Sequence, residues 1–319
     1  MPVTREDVVM AYRYILGREP EGEATIAGHV QNTPDLLTMR MNFLGSEEAQ
    51  RIVNPVQLPP SLPLDAPPLE VETTADRATL TQLVGFTGRY WEEIGRTAPH
   101  WSVLTDPNYK PEAIAQHEAA FFETGRGDAE LLLALLRRIG RAPEEFACCA
   151  EYGCGVGRIT THLAQHFPRV QALDISRPHL DLAAATLRRF GQGNIEFHQV
   201  TPADVHPAQG FDLWYSRIVL QHNPPPIIMH ILDRVFRLLE PGGVAAFQVP
   251  TYRVGYRFSI ADYLARDPGG SMEVHVVPQR AVLELAWKHR LRLADIREDT
   301  AVVDDSPNWL SNTFVFCKD

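Results

Sequence analysis

Lysine is scarce in this chain. Only Lys110, Lys288 and Lys318 stand among 30 basic residues, against 40 acidic ones and a formal net charge of −10. No basic block of the kind that tracks phosphates occurs, which argues against a nucleic-acid substrate. No apolar run approaches the roughly 20 residues of a membrane span, and the N-terminus does not read as a signal peptide. Cysteine is sparse too, at four residues. Cys148 and Cys149 point to opposite faces of one strand and Cys154 and Cys317 form no C-x-x-C pair with them, so neither a disulfide framework nor a metal site is expected. Buried small hydrophobes in a reducing cytoplasm fit that pattern. His162 and His166 stand four apart on a helix face, but with no acid pattern beside them they read as solvated or core-edge residues, and no magnesium site is found.

What is present is a strand, a tight turn and a helix. Ala147-Cys148-Cys149-Ala150-Glu151-Tyr152 is a short apolar run, Gly153-Cys154-Gly155-Val156-Gly157 alternates glycine, and Ile159 to Phe167 is amphipathic. Glycine admits positive φ and lets a ligand approach bare backbone, and the following helix offers unpaired N–H groups. The spacing is G-x-G-x-G, with Arg158 where the dinucleotide fingerprint G-x-G-x-x-G wants its third glycine. A second buried strand, Val170 to Asp174, ends in an acid about twenty residues further on, followed by Ile175 and Ser176. A carboxylate there accepts two hydrogen bonds from a vicinal diol. Alternatively, Asp174 caps the helix from about Pro178 to Phe190, a role Ser176 fills equally well.

The phrase Glu151-Tyr152-Gly153-Cys154-Gly155-Val156-Gly157 resembles motif I of the class I S-adenosylmethionine (SAM) methyltransferases, E/D-x-G-x-G-x-G. That resemblance implies a Rossmann-like seven-stranded sheet with helices on both faces over residues 146–319. It implies SAM as cofactor, held by Glu151, Gly153, Cys154, Gly155, Gly157, Arg158, Asp174, Ile175 and Ser176. Arg237-Leu238-Leu239-Glu240-Pro241-Gly242-Gly243 looks like the family's turn before strand five. Phe211-Asp212 through Ser216 to His222 resembles its F-D-x-x-x-S-x-x-x-x-x-H phrase. Ser216 would then lie beneath the sulfonium. At the adenine end Thr201 stands where the family often has an acid, and Asp204, three later, is the candidate. The cysteine spacing of radical SAM enzymes is absent.

In chain order, residues 1–52 read as a helical unit. Thr4 caps a stripe of Val8, Val9, Tyr12, Ile15 and Leu16, and a second stripe follows at Leu36, Leu37, Met41 and Leu44. Tyr12 to Glu21 and Phe43 to Glu48 resemble a small helical domain of unknown function often attached to glycan-modifying enzymes, although a docking or homo-oligomerisation module explains them as well. Prolines at 55, 59, 60, 63, 67 and 68 make 53–72 a semi-rigid linker. Residues 73–145 read as a helical cap, with helices near Asp76–Gly95, Pro111–Phe122 and Asp128–Ile139 and a loop at Pro99–Thr105. Tyr90 and Trp101 are candidate acceptor-pocket walls or plain core. Strands are expected near 147–152, 169–174, 195–199, 211–216 and 244–249, then a closing pair at 291–296 and 313–317.

Methyl transfer needs an acceptor held in line with the sulfonium, plus removal of a proton if that acceptor is a hydroxyl. Histidine suits the second task. His222 is one candidate base and His275 another, each with a structural reading beside it. Arg217, Gln221 and Tyr252 complete the expected acceptor contacts, with the aromatic insertion 251–270 folding over them. The sequence therefore reads as a cytoplasmic SAM-dependent methyltransferase acting on a hydroxyl of a sugar, glycan or other small natural product. An N- or C-methyltransferase on the same core, or a SAM-binding docking protein without catalysis, is the alternative.

Overall fold

The strands that build the core are apolar on both faces, as strands covered by helices on either side must be. The computed structural model describes residues 2–46, 48–49, 66–265, 272–299 and 309–319. Two compact units divide the chain at residues 58 and 59.

In the first unit, α1 (Arg5–Ala11) opens on a capping box in which Thr4 and Asp7 satisfy each other's backbone N–H groups. It runs on through a π-turn over Tyr12–Leu16 and stops at Gly17, whose φ of 67° suits glycine. Val8, Tyr12 and Leu16 are buried with Ile26 of α2 (Glu23–Asn32). The expected second stripe is out of phase in α3 (Leu36–Leu44). Met39 and Phe43 face the core, while Leu37 and Met41 are 69% and 62% exposed. Phe43 brings a large ring that packs edge-on against Tyr12 at 5.2 Å, and the helix turns to bury it.

The second unit carries a seven-stranded sheet of β1 (Cys149–Tyr152), β2 (Val170–Asp174), β3 (Ile195–Gln199), β4 (Leu213–Ser216), β5 (Val244–Arg253), β6 (Leu291–Asp299) and β7 (Trp309–Lys318). Its order is β3-β2-β1-β4-β5-β7-β6, parallel from β3 through β5, with β7 antiparallel to both neighbours. Alternation along each strand feeds two cores. Cys148, Ala150, Trp214, Ala245 and Phe247 pack with α9 (Pro225–Leu238) and α11 (Gln279–Lys288) on one face. Cys149, Leu213, Tyr215, Val244 and Ala246 pack with the leucines of α6 (Ile114–Arg138) on the other. The Asp of the Phe211-Asp212 phrase is a staple, accepting from Ala147 N at 2.7 Å and Cys148 N at 2.9 Å.

The cap differs from expectation in two places and the linker in one. The helices foreseen at 111–122 and 128–139 are one helix, α6, which passes straight through Gly125 and Gly127. The bulky loop at 99–105 contains α5 (Pro99–Val103), set against the end of α4 (Arg77–Thr97). Of the proline linker, 53–65 lies outside the described residues and 66–72 is no free spacer. Glu70–Val71 pairs in parallel with Arg257–Phe258, and Tyr252 Oη donates to Pro67 O at 2.8 Å. Among the described residues no helix is long and apolar enough to cross a membrane.

Candidate active site

Between β1 and β4 the chain reverses the direction in which it adds strands, and such a switch opens a crevice at the strands' carboxyl ends. A cavity of about 450 Å³ lies there, lined by the glycine turn, the ends of β2 and β4, and α4 and α5 of the cap.

The turn is built by three left-handed glycines, Gly153, Gly155 and Gly157, at φ of 79°, 54° and 86°. A Cβ on Gly153 would stand 2.3 Å from Val219 Cγ1, and one on Gly155 2.7 Å from Val103 Cγ2. Gly157 is not part of the cavity wall. It makes room for Leu187 of α8 (Arg177–Arg189), 2.8 Å from a would-be Cβ, and so serves helix packing. Gly155 N donates to one oxygen of Asp174 and Ser176 N to the other, both at 2.8 Å. Each carboxylate oxygen keeps a further acceptor site, so a vicinal diol can still be held.

Beneath the turn Glu151 is 2% exposed and accepts from Thr160 Oγ1 at 2.6 Å. Burial pushes its carboxyl up to about 7, with Arg158 pulling the other way. A carboxyl whose folded value lies above its unfolded one penalises folding once pH passes the unfolded value, and the penalty is complete above the folded one. Glu151→Gln should therefore be more stable than the parent at pH 8 by about 2–3 kcal/mol more than at pH 5, read from denaturant midpoints. Equal differences at both pH values would contradict a buried, proton-holding Glu151.

Behind the turn, Arg158 Nη2 and Arg217 Nε each donate to Asp128, to Oδ2 and Oδ1 respectively, at 2.5 Å. Both arginines line the cavity, and Asp128 reaches them from α6. Next to Arg217, Ile218 holds φ of 55°, costly for a β-branched residue. Its N–H is tied to Gln248 Oε1 at 3.0 Å.

His222 also lines the cavity, edge-on to Trp91 at 5.5 Å. Its Nδ1 lies 2.9 Å from the carbonyl oxygen of Glu273, which can only accept. Nδ1 therefore carries the proton and Nε2 offers a lone pair. Burial pushes its pKa down to about 4.

Of the residues expected from sequence, Glu151, Gly153, Cys154, Gly155, Arg158, Asp174, Ile175, Arg217 and His222 meet at this cavity. The others do not line this cavity. His275 is buried with Nδ1 on Tyr256 Oη at 2.9 Å and Nε2 on Glu273 Oε2 at 3.1 Å, so it presents no ring nitrogen to an acceptor. Phe258 and Tyr263 pack round it, and residues 266–270 of the insertion lie outside the described residues. Ser216 Oγ bonds Tyr152 O, Ser176 is shut beneath Gly95, Gln221 bonds Gln248, and Tyr252 is held on Pro67. Asp204 closes a turn with Thr201 near Arg234. Tyr90 and Trp101 miss by one residue, since Trp91 with Thr87, and Ser102 to Thr105, form the wall. A helical stripe three and four residues apart would have paired Thr87 with Trp91, but Thr87 is too small to mark that face. His162 is a core residue whose Nε2 lies 2.8 Å from Phe122 O.

Residues 150–243 match the family model described as a methyltransferase domain. Over 106 residues the chain is 37% identical to the trans-aconitate 2-methyltransferase of Deinococcus radiodurans, covering 33% of this chain and 38% of that one. It is 32% identical over 123 residues to the malonyl-[acyl-carrier protein] O-methyltransferase of Salmonella typhimurium, covering 37% and 43%. The chain thus spans less than half the length of these curated relatives. The geranyl diphosphate C-methyltransferase structure from Streptomyces coelicolor superposes with a TM-score of 0.51 at 14% identity, over 74% of this chain and 98% of that one. That likeness is one of fold. The matched residues carry the glycine turn and the acid after β2, and in them the chain is similar to a methyltransferase domain.

Proposed function

We propose that the cavity binds SAM and that the second unit transfers a methyl group to a hydroxyl oxygen of a small-molecule acceptor. The observation carrying this is the Asp174 carboxylate, pinned by two backbone N–H groups at the cavity wall with acceptor sites to spare for a ribose diol. Arg158 suits the carboxylate of the methionine part and Glu151 its ammonium group, which would draw the buried acid back to its ionised form. Bound SAM supplies an electrophilic methyl carbon. The chain's part is to hold the acceptor in line and take its proton. His222 suits that role: as the new O–C bond forms, the hydroxyl becomes strongly acidic, so even a weakly basic imidazole can receive the proton. A pKa near 4 keeps Nε2 unprotonated throughout the physiological range.

The relatives' names bring carboxylate-bearing acceptors into view beside sugars and other natural products. The first unit, with Tyr14, Leu37 and Met41 exposed, suits docking or self-association, and four free cysteines suit a reducing cytoplasm. Calorimetry with S-adenosylhomocysteine (SAH), followed by turnover of labelled SAM on hydroxyl, phenol and amine panels, tests the proposal. No SAH binding would sink it. His222→Phe is expected to lower kcat by about 10²- to 10⁴-fold while SAH affinity holds within about twofold. An unchanged kcat would remove His222 from the chemistry.

A further inference from the structure

We infer that the acceptor carries a carboxylate besides the oxygen it offers for methylation, and that Arg217 is the residue that holds it. This rests on the SAM reading above and deepens it. Two guanidinium groups stand at the cavity wall, and both lean on the single carboxylate of Asp128. The other acids there are otherwise engaged. Asp174 takes the backbone of Gly155 and Ser176, and Glu151 takes the hydroxyl of Thr160. Arg217 is bonded to Asp128 through Nε alone, and its terminal nitrogens have no protein partner among the described residues.

Arg217 is also the more exposed of the two arginines. The Arg158 side chain is 9% exposed, deep behind the turn, whereas the Arg217 side chain keeps 21% exposure. Asp128 engages Arg217 through Nε, so the Nη1/Nη2 edge is oriented away from that contact as a rigid fork. Filling the cavity strips water from this fork. A neutral acceptor would leave its donors short of partners, and a carboxylate would satisfy both in bidentate fashion. The same grip ties up both carboxylate oxygens, making that group a handle, not the nucleophile. Arg217 and His222 bracket one short turn whose strained Ile218 is pinned by Gln248, so the grip and the base lie a fixed distance apart. In the step itself the S–CH₃ bond breaks and an O–CH₃ bond forms. The sulfonium becomes a neutral thioether, the hydroxyl proton passes to His222 Nε2 and on to solvent, and the carboxylate is unchanged.

The test uses the full chain with SAM and a ladder of aliphatic and phenolic hydroxy acids, each paired with its primary amide, reading SAH release and product mass. SAH calorimetry on the same samples separates the two claims, because failure to bind SAH defeats the SAM reading itself. With SAH bound, acids are expected to exceed their amides by about 10- to 100-fold in kcat/KM and to give methyl ethers with the acid intact. Arg217→Gln should abolish that preference with SAH affinity within about twofold, and Arg217→Lys should restore part of it. Turnover of no acid, equal use of acids and amides, methyl-ester products, or a preference that survives in Arg217→Gln would each overturn the inference.

Discussion

Gly125→Ala is expected to destabilise the second unit by about 2–4 kcal/mol, against the sign that helix propensity assigns it. Gly125 lies inside α6, where alanine ordinarily gains about 0.5–1 kcal/mol over glycine. A Cβ there, however, would fall 2.0 Å from the carbonyl oxygen of Arg158 and 2.7 Å from its carbonyl carbon. Both are backbone atoms at the start of the segment leaving the glycine turn, so no rotamer relieves the overlap. The helix or the turn has to move, and either displaces Arg158 from Asp128. Gly127 is the internal control, since nothing lies within 4 Å of its would-be Cβ. Gly127→Ala should stabilise by about 0.5–1 kcal/mol. Paired denaturant titrations of the two variants decide the matter, and a stabilised Gly125→Ala would show that α6 and the turn are not in hard contact.

That residue also shows what the sequence could express. Local signals suffice where one residue type answers one local demand. The alternating glycines demanded left-handed turns and formed them, and Asp174 followed a buried strand at the right distance. The central strands of the parallel sheet are short runs buried on both faces, and such runs could be read directly. A glycine that serves a distant backbone carries no such local mark. Gly125 and Gly127 look alike in sequence and read together as a helix break. Only the approach of the chain 33 residues later separates them.

Failures at the site share this cause. Trp91 and Tyr90 are both large aromatics on α4, and the face turned to the cavity depends on where α4 rests against the sheet and α8. The Asp128 bridge joins α6 to two separate turns, with no spacing rule to announce it. His275 looked like a base because histidine and aromatics cluster near it. In the fold those aromatics and Glu273 are its own partners. What could be read was the cofactor-type turn, which is local. The rest of the cavity wall is assembled from α4, α5 and the turn after β4, and those meet only in three dimensions.

Asp174→Ala is expected to weaken SAH binding by about 10²- to 10⁴-fold, the second large effect. Hydrogen bonds to a charged acceptor contribute roughly 1.5–3 kcal/mol each, and a ribose diol would make two of them. Folding should suffer less, because the Gly155 and Ser176 N–H groups that lose their acceptor border a cavity where water can replace it. Asp174→Asn should fall between parent and alanine, since its amide keeps one acceptor oxygen but turns a donor toward either Ser176 N–H or the diol. The stricter reading is a double-mutant cycle with a 2′,3′-dideoxy analogue of SAH. The parent should prefer the natural ligand strongly and Asp174→Ala should scarcely discriminate, since the interaction that distinguishes the two ligands is gone. An analogue preference that persists without the carboxylate would mean that the diol is held elsewhere, and that Asp174 serves only to brace the glycine turn.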